Sequence, residues 1–208
     1  MNNSTPSALP TVPWERIFEP ATQGASVALG KWTRGRISLS LDEVRETSLD
    51  EVAAALPPGD EPVTMVIVGV SGEVSGQLIL TFDDPSVAEL VAVLLNRQVG
   101  PAETWGELEM SALAETGNIF GSAYLNAMSQ CVGRRLLPSP PVIVRDFAAG
   151  ALEQAVVMQA MESDEVLFCR TCLAGSGNAI NVTAFFVPTV EMLALLRQSL
   201  SDAHLAAL

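Results

Sequence analysis

Apolar positions along this chain repeat with two different periods, and the switches between those periods divide it into elements. From Trp14 to about Thr33 the spacing is helical, with Pro20 and Gly24 as interruptions. Ile37–Val44 alternates instead, placing Ile37, Leu39 and Leu41 on one face of a strand. Leu49–Leu56 predicts a short amphipathic helix closed by Pro57-Pro58-Gly59. Two β-rich runs, Val63–Val70 and Gln77–Phe82, flank Ser71–Gly76 and predict a hairpin. Asp83, Asp84 and Pro85 then supply a cap and first turn for a helix over Ser86–Asn96.

The longest helical stretch runs from Glu103 to about Val132, with Leu108, Ala112, Ile119, Ala123, Ala127 and Met128 as its apolar stripe. Gly133 ends it, and Pro138-Ser139-Pro140-Pro141 reads as a stop. Val142–Phe147, Glu165–Leu173 and Ile180–Phe186 follow as strands, with a turn at Gly175–Asn178 and a closing helix over Thr189–Ala207.

This order repeats. Gln77–Leu94 and Asn178–Arg197 are each strand, proline, amphipathic helix, and Gly24–Leu29 answers Ala123–Met128. Two copies of roughly 95 residues are too few for a solenoid. They fit an α+β domain in which two pseudo-symmetric halves, about 14–98 and 103–208, share one antiparallel sheet with helices on one face. Residues 1–13, rich in Asn, Ser, Thr and Pro, read as a disordered lead.

Composition narrows the function. The chain has 208 residues, 49% of them hydrophobic, so a substantial core is expected. A net charge of -13, with only 11 scattered Lys and Arg, argues against a nucleic-acid partner and against an anionic membrane surface. No run approaches the roughly 18 apolar residues of a membrane span, and the N-terminus lacks a secretory pattern, so a cytoplasmic location is expected. Cys131, Cys169 and Cys172 are too few for a disulfide framework. Cys169 and Cys172 have zinc spacing, but they lie in a strand and face opposite ways. His204, the one histidine, sits near the C-terminus, so no tetrahedral site can be assembled and no metal is expected. The same lack of a placed histidine disfavours serine-nucleophile chemistry. Gly175-Ser176-Gly177 lacks the Lys-Ser/Thr of a phosphate loop. Arg134-Arg135, just past a helix, complements its dipole.

The long helix carries the remaining chemistry. Glu115 and Asn118 stand three apart and project from one face, with Ser111 one turn earlier on the same side. Gly117 and Gly121 each cost roughly 1 kcal/mol against alanine inside a helix. Either close approach of another backbone or tight packing on the sheet would explain them.

Ser111, Glu115 and Asn118, followed after 21 residues by Pro140, with Gly117-Asn118-Ile119 and a Ser-Ala-Tyr-Leu-Asn-Ala continuation, resemble the signature of the CheC/CheX/FliY family. Those proteins dephosphorylate the response regulator CheY. The resemblance implies a duplicated domain covering most of the chain beyond Trp14, with Glu115 and Asn118 as its functional pair. In that family the helix docks on the receiver's phosphorylated aspartate. Asn118 would orient the attacking water, and Glu115 would meet the receiver's active-site lysine. An amide suits the first task and an acceptor-only carboxylate the second. No cofactor of the chain's own is implied, since magnesium would come with the receiver. Ser111, Gly117 and Pro140 would support the motif.

The first half departs from the pattern. Aligning Ala28-Leu29 with Ala127-Met128 sets Arg16 opposite Glu115 and Glu19 opposite Asn118, so a first site looks degenerate, and Leu41 falls opposite Pro140. Two functions follow: a phosphatase for a CheY-like receiver, or a non-catalytic binding module for a phospho-receiver or a CheD-like deamidase.

Overall fold

The computed structural model describes residues 12–48, 51, 62–147, 165–175 and 179–205. In chain order these form α1 (Glu15–Trp32), β1 (Ile37–Ser48), β2 (Pro62–Gly72), β3 (Gly76–Asp83), α2 (Asp84–Leu95), a single 3-10 turn (Ala102–Thr104), α3 (Glu107–Val132), β4 (Leu136–Pro138), β5 (Val142–Phe147), β6 (Glu165–Gly175), β7 (Ala179–Pro188) and α4 (Val190–Leu205). The helix expected over Leu49–Leu56, the turn at 176–178, and residues 1–11 of the expected lead lie outside the described residues.

Local chemistry explains most boundaries. Asp83 caps α2 by accepting a 2.8 Å hydrogen bond from the Ser86 N–H, with Pro85 in the first turn. Gly133 closes α3 in the left-handed conformation, at φ 64°. Pro20 does not interrupt α1. It forfeits only the bond to the carbonyl four residues back, that of Arg16, which lies on the exposed side. The long helix starts at Glu107 rather than Glu103, because Ala102–Thr104 closes a 3-10 turn and extended Gly106 is the N-cap.

The strands form one antiparallel sheet in the order β1-β6-β7-β3-β2, with β4 and β5 both pairing to the outer edge of β2. Exchanging β1 with β5, β2 with β6 and β3 with β7 reverses this path and leaves its order unchanged. Both edge strands are irregular at the same place. On β1 the register slips between Leu41 and Glu43. On the opposite edge, Val70 faces Pro138 and Ile67 faces Val142, so three steps along β2 match four along the edge. One extra residue is therefore accommodated among Ser139, Pro140 and Pro141, a β-bulge.

All four helices share one core with the inward residues of the sheet, among them Val66, Val68, Leu78, Leu80, Leu167, Cys169 and Phe186. Phe18 meets Tyr124 and Phe186 edge-on, joining α1, α3 and β7. The buried stripe of α3 is Leu113, Thr116, Gly117, Phe120, Gly121, Tyr124, Leu125, Met128 and Val132. The expected stripe was turned toward one flank: Leu108 is 58% exposed, while Ala112, Ile119, Ala123 and Ala127 lie at the margin. Nor is the far side of the sheet bare. Met65, Ile79, Phe168 and Phe185 alternate with the inward residues and are equally buried, and the Arg45 and Arg170 guanidinium groups lie over the Phe168 ring. Among the described residues no helix is long and apolar enough to cross a membrane.

Candidate functional site

The site grows from the way α3 is seated. Glu109 fixes its first turn, accepting a 3.1 Å hydrogen bond from the Gly106 N–H and pairing with Arg97. Two turns on, Thr116 turns inward and returns its hydroxyl to the Ala112 carbonyl at 3.0 Å. Gly117 and Gly121 then face β2. A Cβ on Gly117 would lie 2.5 Å from Val66 Cγ1 and 3.1 Å from Pro141 Cβ, and one on Gly121 would lie 2.9 Å from Val68 Cγ1. The glycines thus answer tight packing on side chains of the sheet and its edge, not a crossing backbone. Phe120 stacks on Tyr124 beneath, with ring centroids 5.2 Å apart.

With that face buried, the helical period turns Ser111, Glu115 and Asn118 outward, and all three are exposed. The Asn118 amide reaches toward Glu115 at 3.5 Å, a long contact that leaves both side chains available. They open onto a groove of about 470 Å³, lined on the helix side by Ser111, Ala114, Glu115 and Asn118 and on the other by Pro138, Ser139, Pro140 and Pro141. Glu115 is the single charged residue in this lining. Such a groove suits a cationic group beside Glu115 and an oriented polar ligand or water at Asn118.

The structure therefore brings together the residues the sequence singled out: Ser111, Glu115, Asn118 and Pro140 line the groove, and Gly117 sets its floor. Of Pro138–Pro141 the sequence singled out Pro140 alone, the run otherwise reading as a stop. In the fold Pro138 ends a short strand, and the next three residues are the bulge that forms the far wall. The available signal was the prolines themselves, which within a sheet are confined to edges and bulges.

Arg16 and Glu19 are likewise exposed on α1. The buried positions Ile17, Phe18, Ala21, Thr22, Ala25 and Leu29 match Thr116, Gly117, Phe120, Gly121, Tyr124 and Met128 at the spacing used to align the halves. At that spacing Arg16 and Glu19 fall opposite Glu115 and Asn118. A bulky Phe18 stands where Gly117 would be.

The remaining candidates stay apart from the groove. Cys169 is buried, and burial pushes its thiol far above the ordinary range, which holds it protonated and inert. Cys131 is a free thiol on α3, and the side chains of Cys172 and His204 lie outside the described residues. Arg134 does more than face the helix end: its Nε lies 3.4 Å from the Glu73 carboxylate in the β2–β3 turn.

Comparison with known proteins bears on this geometry. The model of the CheC-like family matches residues 108–145, the stretch that runs from the start of α3 through the bulge into β5. CheY-P phosphatase CheC of Bacillus subtilis is 21% identical over 148 residues, covering 70% of this chain and 71% of that protein. Among solved structures, Thermotoga maritima FliY matches with a TM-score of 0.72 at 16% identity, covering 94% of this chain and 98% of that one. A CheX–CheY–BeF3–magnesium complex from Borrelia burgdorferi matches with a TM-score of 0.56 at 17% identity, over 83% and 97% of the two chains. The structures share an α+β fold built on an antiparallel sheet, and the family-model match falls on the groove. The chain is thus similar to the CheC/CheX/FliY proteins, in sequence over the segment that forms the groove and in fold over most of its length.

Proposed function

We propose that this chain is a cytoplasmic phosphatase that hydrolyses the aspartyl-phosphate of a CheY-like receiver. The observation that carries the reading is the pairing of Glu115 and Asn118 on one exposed turn of α3, over a groove with no other charge. Asn118 holds a water in line with the phosphorus. The water oxygen bonds to phosphorus, the bond to the aspartate oxygen breaks, and phosphate leaves. Glu115 pairs with the receiver lysine and fixes the docked orientation. Phosphoryl transfer of this kind asks chiefly for positioning, and an amide on a rigid helix supplies it. The receiver brings the magnesium and the phosphoryl group, so the chain needs no cofactor of its own. Ser111 and Pro140 bound the groove at either side. The name of the Bacillus relative and the receiver complex of the CheX neighbour support the choice of substrate.

Matched burial along α1 and α3, the reversible strand order and the bulge on each edge strand also support an origin as two copies of one half, within a single domain over 14–208. The first copy then carries no site. That loss favours the second reading, a binding module for a phospho-receiver or a CheD-like deamidase.

The test follows loss of phosphate from a magnesium-loaded, phosphorylated receiver. Asn118→Ala should lower turnover by about 10²–10³-fold, the scale of one transition-state hydrogen bond, and Glu115→Ala should chiefly weaken docking. Full activity in Asn118→Ala would remove its proposed role. Equal phosphate lifetimes with and without the wild-type protein would favour the binding module.

A further inference from the structure

We propose that Ser139 is a positioning residue for the groove, clamping its proline wall at a fixed distance from Asn118. The inference rests on the phosphatase reading for its kinetic consequence, and on geometry for the rest. Of the four residues Pro138–Pro141, three are prolines and have no backbone N–H. Ser139 is therefore the one residue of the wall able to donate a main-chain hydrogen bond to the sheet. Its N–H does so, to the Gly69 carbonyl at 2.8 Å. In a regular antiparallel pair the Gly69 N–H would return to the Ser139 carbonyl. Here it goes to the Ser139 hydroxyl instead, again at 2.8 Å. The hydroxyl takes the place of the carbonyl and donates in turn to the Pro140 carbonyl at 3.1 Å.

One side chain thus ties the bulge at two points, to β2 and to the peptide that aims Pro141. That proline is the one against which Gly117 is fitted. The chain of contacts runs from Gly69 through Ser139 and Pro141 to α3, one residue before Asn118. The other edge strand has its own bulge at Leu41–Glu43, with none of these prolines. A bulge therefore belongs to the sheet edge as such, and the serine clamp to the groove.

The experiment compares Ser139→Ala and Gly69→Ala with the wild type. The second variant keeps the hydroxyl but sets a Cβ 3.0 Å from Ser139 Oγ, so it strains the same clamp from the other side. Two readouts are taken: kcat and KM for receiver dephosphorylation, and the side-chain amide resonance of Asn118 in the receiver-free protein. Both variants should stay folded, lose about tenfold or more in kcat with KM nearly unchanged, and shift the Asn118 resonance, because small misplacements near the reacting centre are costly. Unchanged kcat and an unmoved Asn118 resonance, with the Gly69 amide exchanging faster, would overturn the proposal. If the wild type itself fails to dephosphorylate receivers, the phosphatase reading falls separately. The resonance then decides the clamp: moved, it stands; unmoved, it falls. Should Ser139→Ala not fold, Gly69→Ala decides on the same two readouts.

Discussion

Gly117 shows how a single missing side chain sets both stability and site. Alanine there gains roughly 1 kcal/mol of intrinsic helix propensity. Its Cβ, however, would press on Val66, which is buried and β-branched, and on the Pro141 ring. Neither neighbour can swing aside, and overpacking of this kind costs about 1–3 kcal/mol. Gly117→Ala should therefore lower the melting temperature by several degrees, at about 2–4 °C per kcal/mol for a chain of this size. It should also push α3 off the wall. Gly121→Ala, its Cβ 2.9 Å from Val68 Cγ1, should destabilise without widening the groove, since the three atoms nearest to that Cβ all belong to Val68 on β2. Thermal denaturation of both variants, with activity measured alongside, checks this; a Gly117→Ala protein as stable as wild type would mean that β2 yields. Exposed residues were the legible part of the site. That Glu115 and Asn118 share one face follows from helical spacing, and their choice as the pair from the family resemblance, whereas the role of Ser139 depends on a partner 70 residues away in sequence.

The N-terminus of α3 places those residues, and its chemistry is titratable. The Glu109 carboxyl is held below its ordinary range first by the hydrogen bond from its own N–H, then by the Gly106 N–H and Arg97. A depressed folded pKa means that the stabilisation is present above the unfolded value. It is lost as the pH falls through the folded one. The Gly106 amide resonance should therefore titrate with a midpoint below 4.5, and Arg97→Ala should move that midpoint upward. A midpoint at or above 4.5 would mean the cap does not form. Nearly every element named from periodicity is present where it is described, but their ends moved wherever a turn competed with a helix, as at Ala102–Thr104. The second buried face of the sheet was also legible. Unbroken apolar runs such as Leu78-Ile79-Leu80 and Phe185-Phe186-Val187 signal burial on both sides, a signal that the expectation of helices on one face left unused. The bulge was not legible, because it exists only in the register between β2 and its partners.

At the scale of the whole molecule, the two halves do not fold beside each other but through each other. Within residues 14–98 the only described strand pairing is the β2–β3 hairpin, and within 103–208 it is β6–β7. Every other pairing crosses between halves: β1 with β6, β3 with β7, and β4 and β5 with β2. The helices meet across the halves too, since a Cβ added to Gly24 on α1 would lie 3.4 Å from the Ala123 carbonyl oxygen and from Ala127 Cβ on α3. Among the described residues, a half taken alone keeps one hairpin and two helices, with its edge strand unpaired. An isolated two-stranded hairpin is marginal at best in water. The groove is itself a product of this exchange, because Val66, against which Gly117 is seated, and Gly69, to which Ser139 is bonded, come from the first half, while every lining residue comes from the second. Fragments 1–98 and 99–208 should each lack dispersed amide resonances and cooperative melting when expressed separately, and mixing them should restore both if association is fast against aggregation. The intact chain should unfold in one transition, with tryptophan fluorescence and far-ultraviolet dichroism changing together. A second fragment that folded alone and kept phosphatase activity would contradict the interlocked sheet. It would also show that α3 and its bulge need nothing from β2, which the contacts at Gly117, Gly121 and Ser139 argue against.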